Sequence, residues 1–571
     1  MQDALAPRES AVEQQLARFR TLARAYADGS LDPEDFRPER LRWGIFFQGR
    51  QTMLRIALPG ARVSAEQLRC LAAVQARLGA GDAHLTTRQN IQLYGVPVRE
   101  LPAVLDEFAG VGLYTLQTSG PCVRKIALDD LAGVGIDEND DPWPWWVLLQ
   151  RWATLHPELG NLPRKLKVAL SAASRDRVGI RMHDVGLQLS GGSGIDARFD
   201  VWVGGGLGRR PRLAERLFAD LPGRDLLPHL EALLRLYDRE GQRHDKQRAR
   251  LKDFVRGYGL DALRRGVQQE RASLGRTGLE VGAERLAEAA RAAPHAGLPE
   301  APVSGEGTLE QWAQAEPAFA EWLRWNTEPQ RPAGVRAVTV CLAGRSKPPG
   351  DLDATEMALL AELAEGASGG ELRLSPQQRL LLPHVPLDRL YGLWQRLRAS
   401  GLAEPVAGTL ADPVSCPGQA RCELASVSTG DVAVAIRQRL ERTGLAGEAG
   451  PARLAVGGCM NACSRAPLSE IGLRGVEKAG GAWYQLQIGG QGEGELALAR
   501  TLGPAVPRER VPAVVAAVVS RYLRLRSGPE ESLGRVVARE GVAAFRDCLE
   551  AADTPAVGVA ESPQDLTSAD V

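Results

Sequence analysis

Four of the eight cysteines, Cys416, Cys422, Cys459 and Cys463, fall in one stretch; Cys70, Cys122, Cys341 and Cys548 are scattered. The first pair reads Cys-Pro-Gly-Gln-Ala-Arg-Cys and the second Cys-Met-Asn-Ala-Cys. Four thiolates suit Zn²⁺ or an iron–sulfur cluster. Structural zinc knuckles keep about two to four residues between ligands, so the wider first gap favours the bulkier inorganic core. Pro417-Gly418 and Gly457-Gly458 beside the cysteines let backbone approach such a core and aim N–H groups at its sulfurs.

A second group of residues is cationic. Leu162–Val168 reads LPRKLKV. In an extended chain Lys165 and Lys167 share a face, where two ammoniums repel unless an anion lies between them. A solvated basic edge strand is the alternative. Arg55, Arg88 and Arg124 are cations of the same kind. His84–Tyr94 (HLTTRQNIQLY) alternates like a strand, which puts His84, Thr86, Arg88 and Gln92 on one face. Such a face is costly to bury without a polar partner, and a polycarboxylate would suit its arginine.

The elements that must position these groups come in two sets. Met53–Leu58 reads as a strand, Ala65–Leu78 as a helix, His84–Tyr94 as a strand and Leu101–Phe108 as a helix. The same order returns in Val335–Leu342, Ala354–Glu365, Glu371–Leu382 and Leu387–Ala399. Thr86-Thr87-Arg88-Gln89 of the first set matches Ser375-Pro376-Gln377-Gln378 of the second, so an internal duplication about a pseudo-twofold axis is predicted. Each copy is followed by a segment of a different kind. After the first comes a Trp-, Pro- and Gly-rich stretch with DPWPWW (Asp141–Trp146) and VGGGLG (Val203–Gly208); after the second comes the cysteine group.

Composition sets the outer limits. The 571 residues suggest three or four domains. Seventy basic and 70 acidic residues cancel, which argues against bulk-charge binding of nucleic acid. No apolar run is long enough for a membrane span, and the first residues lack an apolar signal core, so a cytoplasmic location is expected. No dinucleotide fingerprint follows a clear strand; Gly204–Gly208 has the wrong spacing. If the cysteines hold an electron-carrying cluster, a separate donor protein is expected, a ferredoxin or a flavoprotein. The Arg209–Arg212 stretch is a candidate docking patch for an acidic one, or simply a solvated loop.

Together these motifs resemble the siroheme- and [4Fe–4S]-dependent sulfite/nitrite reductases, nearest to the bacterial sulfite reductase hemoprotein subunits. The carriers are MLRIALPG (Met53–Gly60), HLTTRQNIQ (His84–Gln92), TSGPCVRK (Thr118–Lys125), LPRKLKV, VGGGLG and the paired cysteine motifs. The resemblance implies an α+β fold: duplicated ferredoxin-like half-domains about a pseudo-twofold, plus two α+β domains that bind siroheme and the [4Fe–4S] cluster. Expected boundaries are an N-terminal helical arm (1–35), half-domain 1 (36–115), a siroheme/substrate domain (116–292), a connector (293–334), half-domain 2 (335–408), a cluster domain (409–525), and a C-terminal helix with a disordered tail (526–571).

The resemblance also assigns roles. Cys416, Cys422, Cys459 and Cys463 would ligate the cluster, with Cys463 bridging to the siroheme iron. Arg55, Arg124, Lys165 and Lys167 would surround the anion. His84, Thr86, Arg88, Gln92 and Gln378 would bind siroheme carboxylates, and Gly204, Gly205 and Gly206 would let backbone lie against the macrocycle. The implied reaction is six-electron reduction of sulfite to sulfide, with nitrite to ammonia as the alternative. The chain departs from the family at Phe46 and Asp129, where some relatives cross-link a tyrosine to a cysteine; no such bond is expected here. Cys122 is expected to be a free thiol.

Overall fold

The computed structural model describes residues 9–48, 51–79, 81–275, 278–293 and 308–551. The two predicted half-domains form as two five-stranded sheets over a shared core. The Ala65–Leu78 helix starts at Ser64, whose side chain accepts the Gln67 N–H while Gln67 returns a bond to the Ser64 backbone, and it stops at left-handed Gly79. The Ala354–Ala367 helix repeats this design with Asp353 and Glu356. Leu68 and Leu71 of one helix and Leu360 and Leu363 of the other join a single buried core.

Each sheet is completed by a strand from the other half. The first runs Ile45–Gln48, Gln51–Ala57, Asn90–Tyr94, Ala83–Leu85 and ends on Asp351–Leu352 from half-domain 2. The second runs Thr327–Pro329, Val335–Val340, Leu380–Pro386, Glu371–Leu374 and ends on Arg62–Ser64 from half-domain 1. Buried ion pairs seal the second exchange: Arg62 Nε lies 2.6 Å from Glu371, which also binds Arg373 at 2.7 Å.

Two long predicted strands are in fact hairpins. His84–Tyr94 divides into Ala83–Leu85 and Asn90–Tyr94, and Glu371–Leu382 into Glu371–Leu374 and Leu380–Pro386. Each turn carries a glutamine in the left-handed region, Gln89 (φ 54) and Gln378 (φ 64). These are the residues matched in the internal repeat. The shared face predicted for His84, Thr86, Arg88 and Gln92 is therefore broken at the turn.

The segments that follow the half-domains share one topology, which corrects the expectation that they differ in kind. Strands Ala127–Leu128, Val168–Ser171 and Val185–Gly191 are parallel, then Arg198–Val203 and Glu215–Pro222 run antiparallel. Val414–Ser415, Leu454–Gly457, Ile471–Lys478, Gly481–Ile488 and Arg500–Thr501 repeat that order. Ala127 pairs with Ala169 as Val414 pairs with Ala455, and Val168 pairs with Val185 as Leu454 pairs with Ile471. By this register Asp129 stands in the place of Cys416, Ala173 in that of Cys459 and Arg177 in that of Cys463. Where one copy has thiols, the other has an ion-pair cluster: Arg177 binds Asp129 at 3.0 Å and Asp137 at 2.9 Å.

The flanking segments also pack. The expected N-terminal arm contains the Glu9–Ala27 helix, which buries Leu16, Phe19 and Ala23 in the half-domain core. The expected connector contributes Phe319 and Trp322, on the Pro317–Asn326 helix, to the same core. Beyond 525, Leu533, Val536, Val537 and Phe545 enter the core of the cysteine-bearing domain. The tail expected to be disordered lies outside the described residues from 552 onward.

Candidate functional site

The cysteines sit on two loops after parallel strands. Cys416 follows Val414–Ser415, and Cys459 follows Leu454–Gly457. Gly418 has φ 61, and a Cβ there would stand 2.4 Å from the Thr429 hydroxyl, which itself donates to the Cys416 carbonyl at 2.5 Å. Backbone N–H groups point at sulfur as the glycines suggested: Gly458 at Cys416 Sγ (3.3 Å) and Asn461 at Cys459 Sγ (3.5 Å). Burial, then the nearby Cys463, pushes the Cys416 thiol up to about 11, and burial raises Cys459. Such thiols need a metal core to stay ionised. Among the described residues no three His, Cys, Asp or Glu side chains converge on a single-ion site.

Against Cys463 stands a ring of buried cations. The turn at Thr86–Gln89 grips this cysteine: Thr87 Oγ1 donates to the Cys463 carbonyl at 2.5 Å, and Arg465 donates to the Thr87 carbonyl at 2.8 Å. Arg55 donates to the Thr118 carbonyl at 3.3 Å and lies 4.9 Å from the Phe46 ring centre. Arg124 donates to the same carbonyl and to that of Gly120 at 2.7 Å. Burial lowers the Lys165 ammonium to about 8, helped by Arg124 and Arg250 and opposed by Cys463. Lys167 is pushed well below its usual value by burial and then by Arg88, Lys165 and Arg250. Burial drives Arg88 to about 10 and Arg465 to about 9.

Cations crowded this way are stable only beside anionic charge. One acid within the ring, Asp184, is fully buried and held by Arg250 at 2.7 Å while accepting the Lys167 backbone N–H at 2.9 Å. Arg124 Nε, Arg465 Nε and His183 Nε2 are buried with no hydrogen-bond partner. This donor set fits a macrocycle with many carboxylates together with a small anion. Arg465, Lys125, Arg250 and His183 were not singled out in the sequence. Arg465 follows the last cysteine closely and Lys125 follows Arg124 directly, but a single Arg or Lys gives no periodic signal. Lys125 is buried, donates to the Gln89 carbonyl at 2.6 Å, and is lowered well below its usual value by burial and Arg88.

Several expected siroheme ligands are otherwise engaged. His84 Nδ1 lies 2.7 Å from Asp351 Oδ1 and its Nε2 lies 3.0 Å from Gln378 Nε2. Gln378 also donates to the Leu85 carbonyl at 2.7 Å and accepts the Ser415 N–H at 2.9 Å. Neither side chain has a donor left for a carboxylate; together they strut the two half-domains to the cysteine domain. Gln92 turns its amide oxygen to Arg55 Nε (3.2 Å) and Nη2 (3.0 Å), so it orients that arginine. Thr86 Oγ1 accepts the backbone N–H groups of Arg88 and Asn90, which leaves its hydroxyl proton available. The glycine at 205 is demanded by protein rather than by a ligand, since a Cβ would stand 2.4 Å from the carbonyls of Arg181 and His183. Gly204 has φ 86 against Val255, and Gly206 faces Lys252 and Arg250. Cys122 is a buried free thiol beside Arg124.

The nitrite and sulphite reductase 4Fe–4S domain matches residues 119–274 and again 407–554. The chain belongs to that family. The nitrite/sulfite reductase ferredoxin-like half domain matches 48–111 and 329–400, which bears out the duplicated α+β fold. A sulfite reductase [ferredoxin] of Mycolicibacterium paratuberculosis is 27% identical over 494 residues, covering 81% of this chain and 80% of that protein. A chloroplastic ferredoxin–nitrite reductase of Zea mays is 28% identical over 506 residues, covering 85% and 82%. The solved Mycobacterium tuberculosis NirA protein shares the fold, with a TM-score of 0.75 at 23% identity, covering 93% of this chain and 95% of that one. The chain is a sulfite/nitrite reductase-type oxidoreductase whose cofactors are siroheme and a [4Fe–4S] cluster. Among the described residues no helix is long and apolar enough to cross a membrane.

Proposed function

We propose that this protein reduces sulfite to sulfide, drawing electrons from a separate ferredoxin-type donor. The observation that carries this reading is the position of Cys463: it acts on Cys416 and Cys459 and also on Arg55 and Lys165. One sulfur thus stands between the thiol set and the cation ring. Siroheme and the [4Fe–4S] cluster held there would relay the six electrons that the donor supplies.

The protein residues supply the rest. Arg55 and Arg124, fixed by the Thr118 carbonyl, hold the anion's oxygens and stabilise charge on them. Lys165, near 8, is protonated at neutral pH and readily gives up a proton as an S–O bond breaks. Lys167 is the second donor, anchored through its backbone to Asp184. Arg88, Lys125 and Arg465 hold carboxylates, with Thr86 adding its hydroxyl. Reduction of nitrite to ammonia is the second reading, favoured by the equal similarity to the Zea mays enzyme.

The test is the visible spectrum of the purified protein with iron, sulfide and tetrapyrrole analysis, followed by kcat/KM for both anions with reduced viologen. A protein without tetrapyrrole sinks the reading. A nitrite advantage of about tenfold, equivalent to about 1.4 kcal/mol, reverses the choice of substrate.

A further inference from the structure

Lys252 is a buried cation outside the anion ring. It is 7% exposed and directs its ammonium at four carbonyl oxygens: Gly206 (3.3 Å), Gly208 (3.4 Å), Arg209 (2.8 Å) and Arg210 (2.9 Å). These carbonyls belong to one loop, closed at its base by reciprocal backbone bonds between Gly206 and Arg212 at 2.9 and 3.0 Å. The loop faces one of the cysteines, Cys459. Leu207, Gly208, Arg209 and Pro211 form one wall of a narrow cleft; Gly457, Cys459, Met460 and Ala462 form the other. A side chain at Gly208 would meet the carbonyls of Asn461 and Met460 at 3.8 and 4.0 Å. The cleft volume of about 10 Å³ leaves room for at most one water molecule.

The internal duplication supplies a control. Gln491–Ala497 is a loop of the same length, closed by the same reciprocal pair of bonds. Gly204 packs on Val255 as Gly489 packs on Val537, which aligns the Leu251–Tyr258 helix with Leu533–Glu540 and puts Gly534 where Lys252 would be. The loop shape therefore forms without a lysine. Of the two copies, the ammonium is present in the one whose loop lies against Cys459.

We propose that Lys252 is a positioning residue that locks the Gly206–Arg210 loop over the solvent side of Cys459, excluding water and small reagents from the cluster and setting its potential. The proposal rests on the reading of these cysteines as cluster ligands. Solvent access and hydrogen bonding tune such potentials, and a loop held by one buried cation opens locally once that cation is removed.

The experiment compares wild-type and Lys252→Met holoenzymes in three readouts: bleaching of cluster absorbance by an iron chelator in air, the cluster midpoint potential by EPR-monitored titration, and hydrogen exchange of the amides in 206–210. The expected result is bleaching at least about tenfold faster, as about 1.4 kcal/mol of lost closure would give, with a shifted potential, faster exchange in the loop, and restoration by Lys252→Arg. KM for the anion with reduced viologen stays within about twofold, because the anion ring is untouched. Unchanged bleaching and potential overturn the proposal. Should Lys252→Met yield no holoenzyme, Gly208→Leu decides: it wedges the loop off Met460 and Asn461 with the lysine intact, and wild-type bleaching there overturns the proposal equally. A wild-type protein without a cluster would instead overturn the cysteine assignment.

Discussion

Replacing Gln378 with methionine separates a strut from a ligand. Methionine keeps the length of the side chain but removes every hydrogen bond it makes. Three buried groups then lose a partner: His84 Nε2, the Leu85 carbonyl and the Ser415 N–H. Each unsatisfied buried group costs about 1–3 kcal/mol, so the total is about 3–6 kcal/mol after partial relaxation. At about 2 °C per kcal/mol for a folding unit of 150–250 residues, the melting point falls by about 6–12 °C. The assay is calorimetry of cofactor-free and loaded protein side by side. A strut predicts the same loss in both. A loss confined to loaded protein would refute the reasoning and return Gln378 to the cofactor ligands; a fall of less than about 2 °C in both would show that the three groups find other partners.

The remaining predictions address separate parts of the molecule. For Lys165, at about 8 in the folded chain and 10.5 outside it, activity that needs the protonated amine falls as pH rises through about 8, and Lys165→Arg moves that fall to higher pH; a kcat/KM profile of both proteins checks it. The same depression means the unfolded chain holds the proton more tightly, so cofactor-free protein gains stability as pH climbs from about 8 toward 10.5, measurable by urea denaturation. Gly205→Ala forces a Cβ to 2.4 Å from two carbonyls and should cost about 2–3 kcal/mol by denaturant midpoint. Asp129→Asn strips a fully buried partner from Arg177 and should cost about 3–5 kcal/mol while leaving cluster content unchanged by iron analysis.

Much of the architecture was legible because helices announce themselves. Ala65–Leu78 is legible from its regular apolar spacing, and the structure adds the Ser64–Gln67 cap and the Gly79 stop that fix its ends. The hairpins were hidden because Gln89 and Gln378 carry the left-handed turns, and glutamine gives no turn signal where glycine or asparagine would. The common topology of the later domains was masked by chemistry. Asp129 and Arg177 satisfy one copy with charge where Cys416 and Cys463 serve the other with sulfur, and first strands of only two residues, Ala127–Leu128 and Val414–Ser415, leave little pattern to compare. In the site, the cysteine spacing is the clearest signal in the sequence, while Lys165 and Lys167 read equally as a solvated edge strand until their burial is seen. His84 and Gln378 misled because the polar partners that satisfy them come from Asp351 and Ser415, far away in the chain.

The traded edge strands bear on how this molecule can be made and divided. Arg62–Ser64 and the outer side of Ala83–Leu85 meet their partners, Glu371–Leu374 and Asp351–Leu352, only after the later half has been synthesised. The early half thus leaves the ribosome with the edge of its sheet bare, a surface ready to pair with any similar strand nearby. Co-translational folding must wait for the later half, and severing the chain between the halves gives two pieces that become whole only in each other's company.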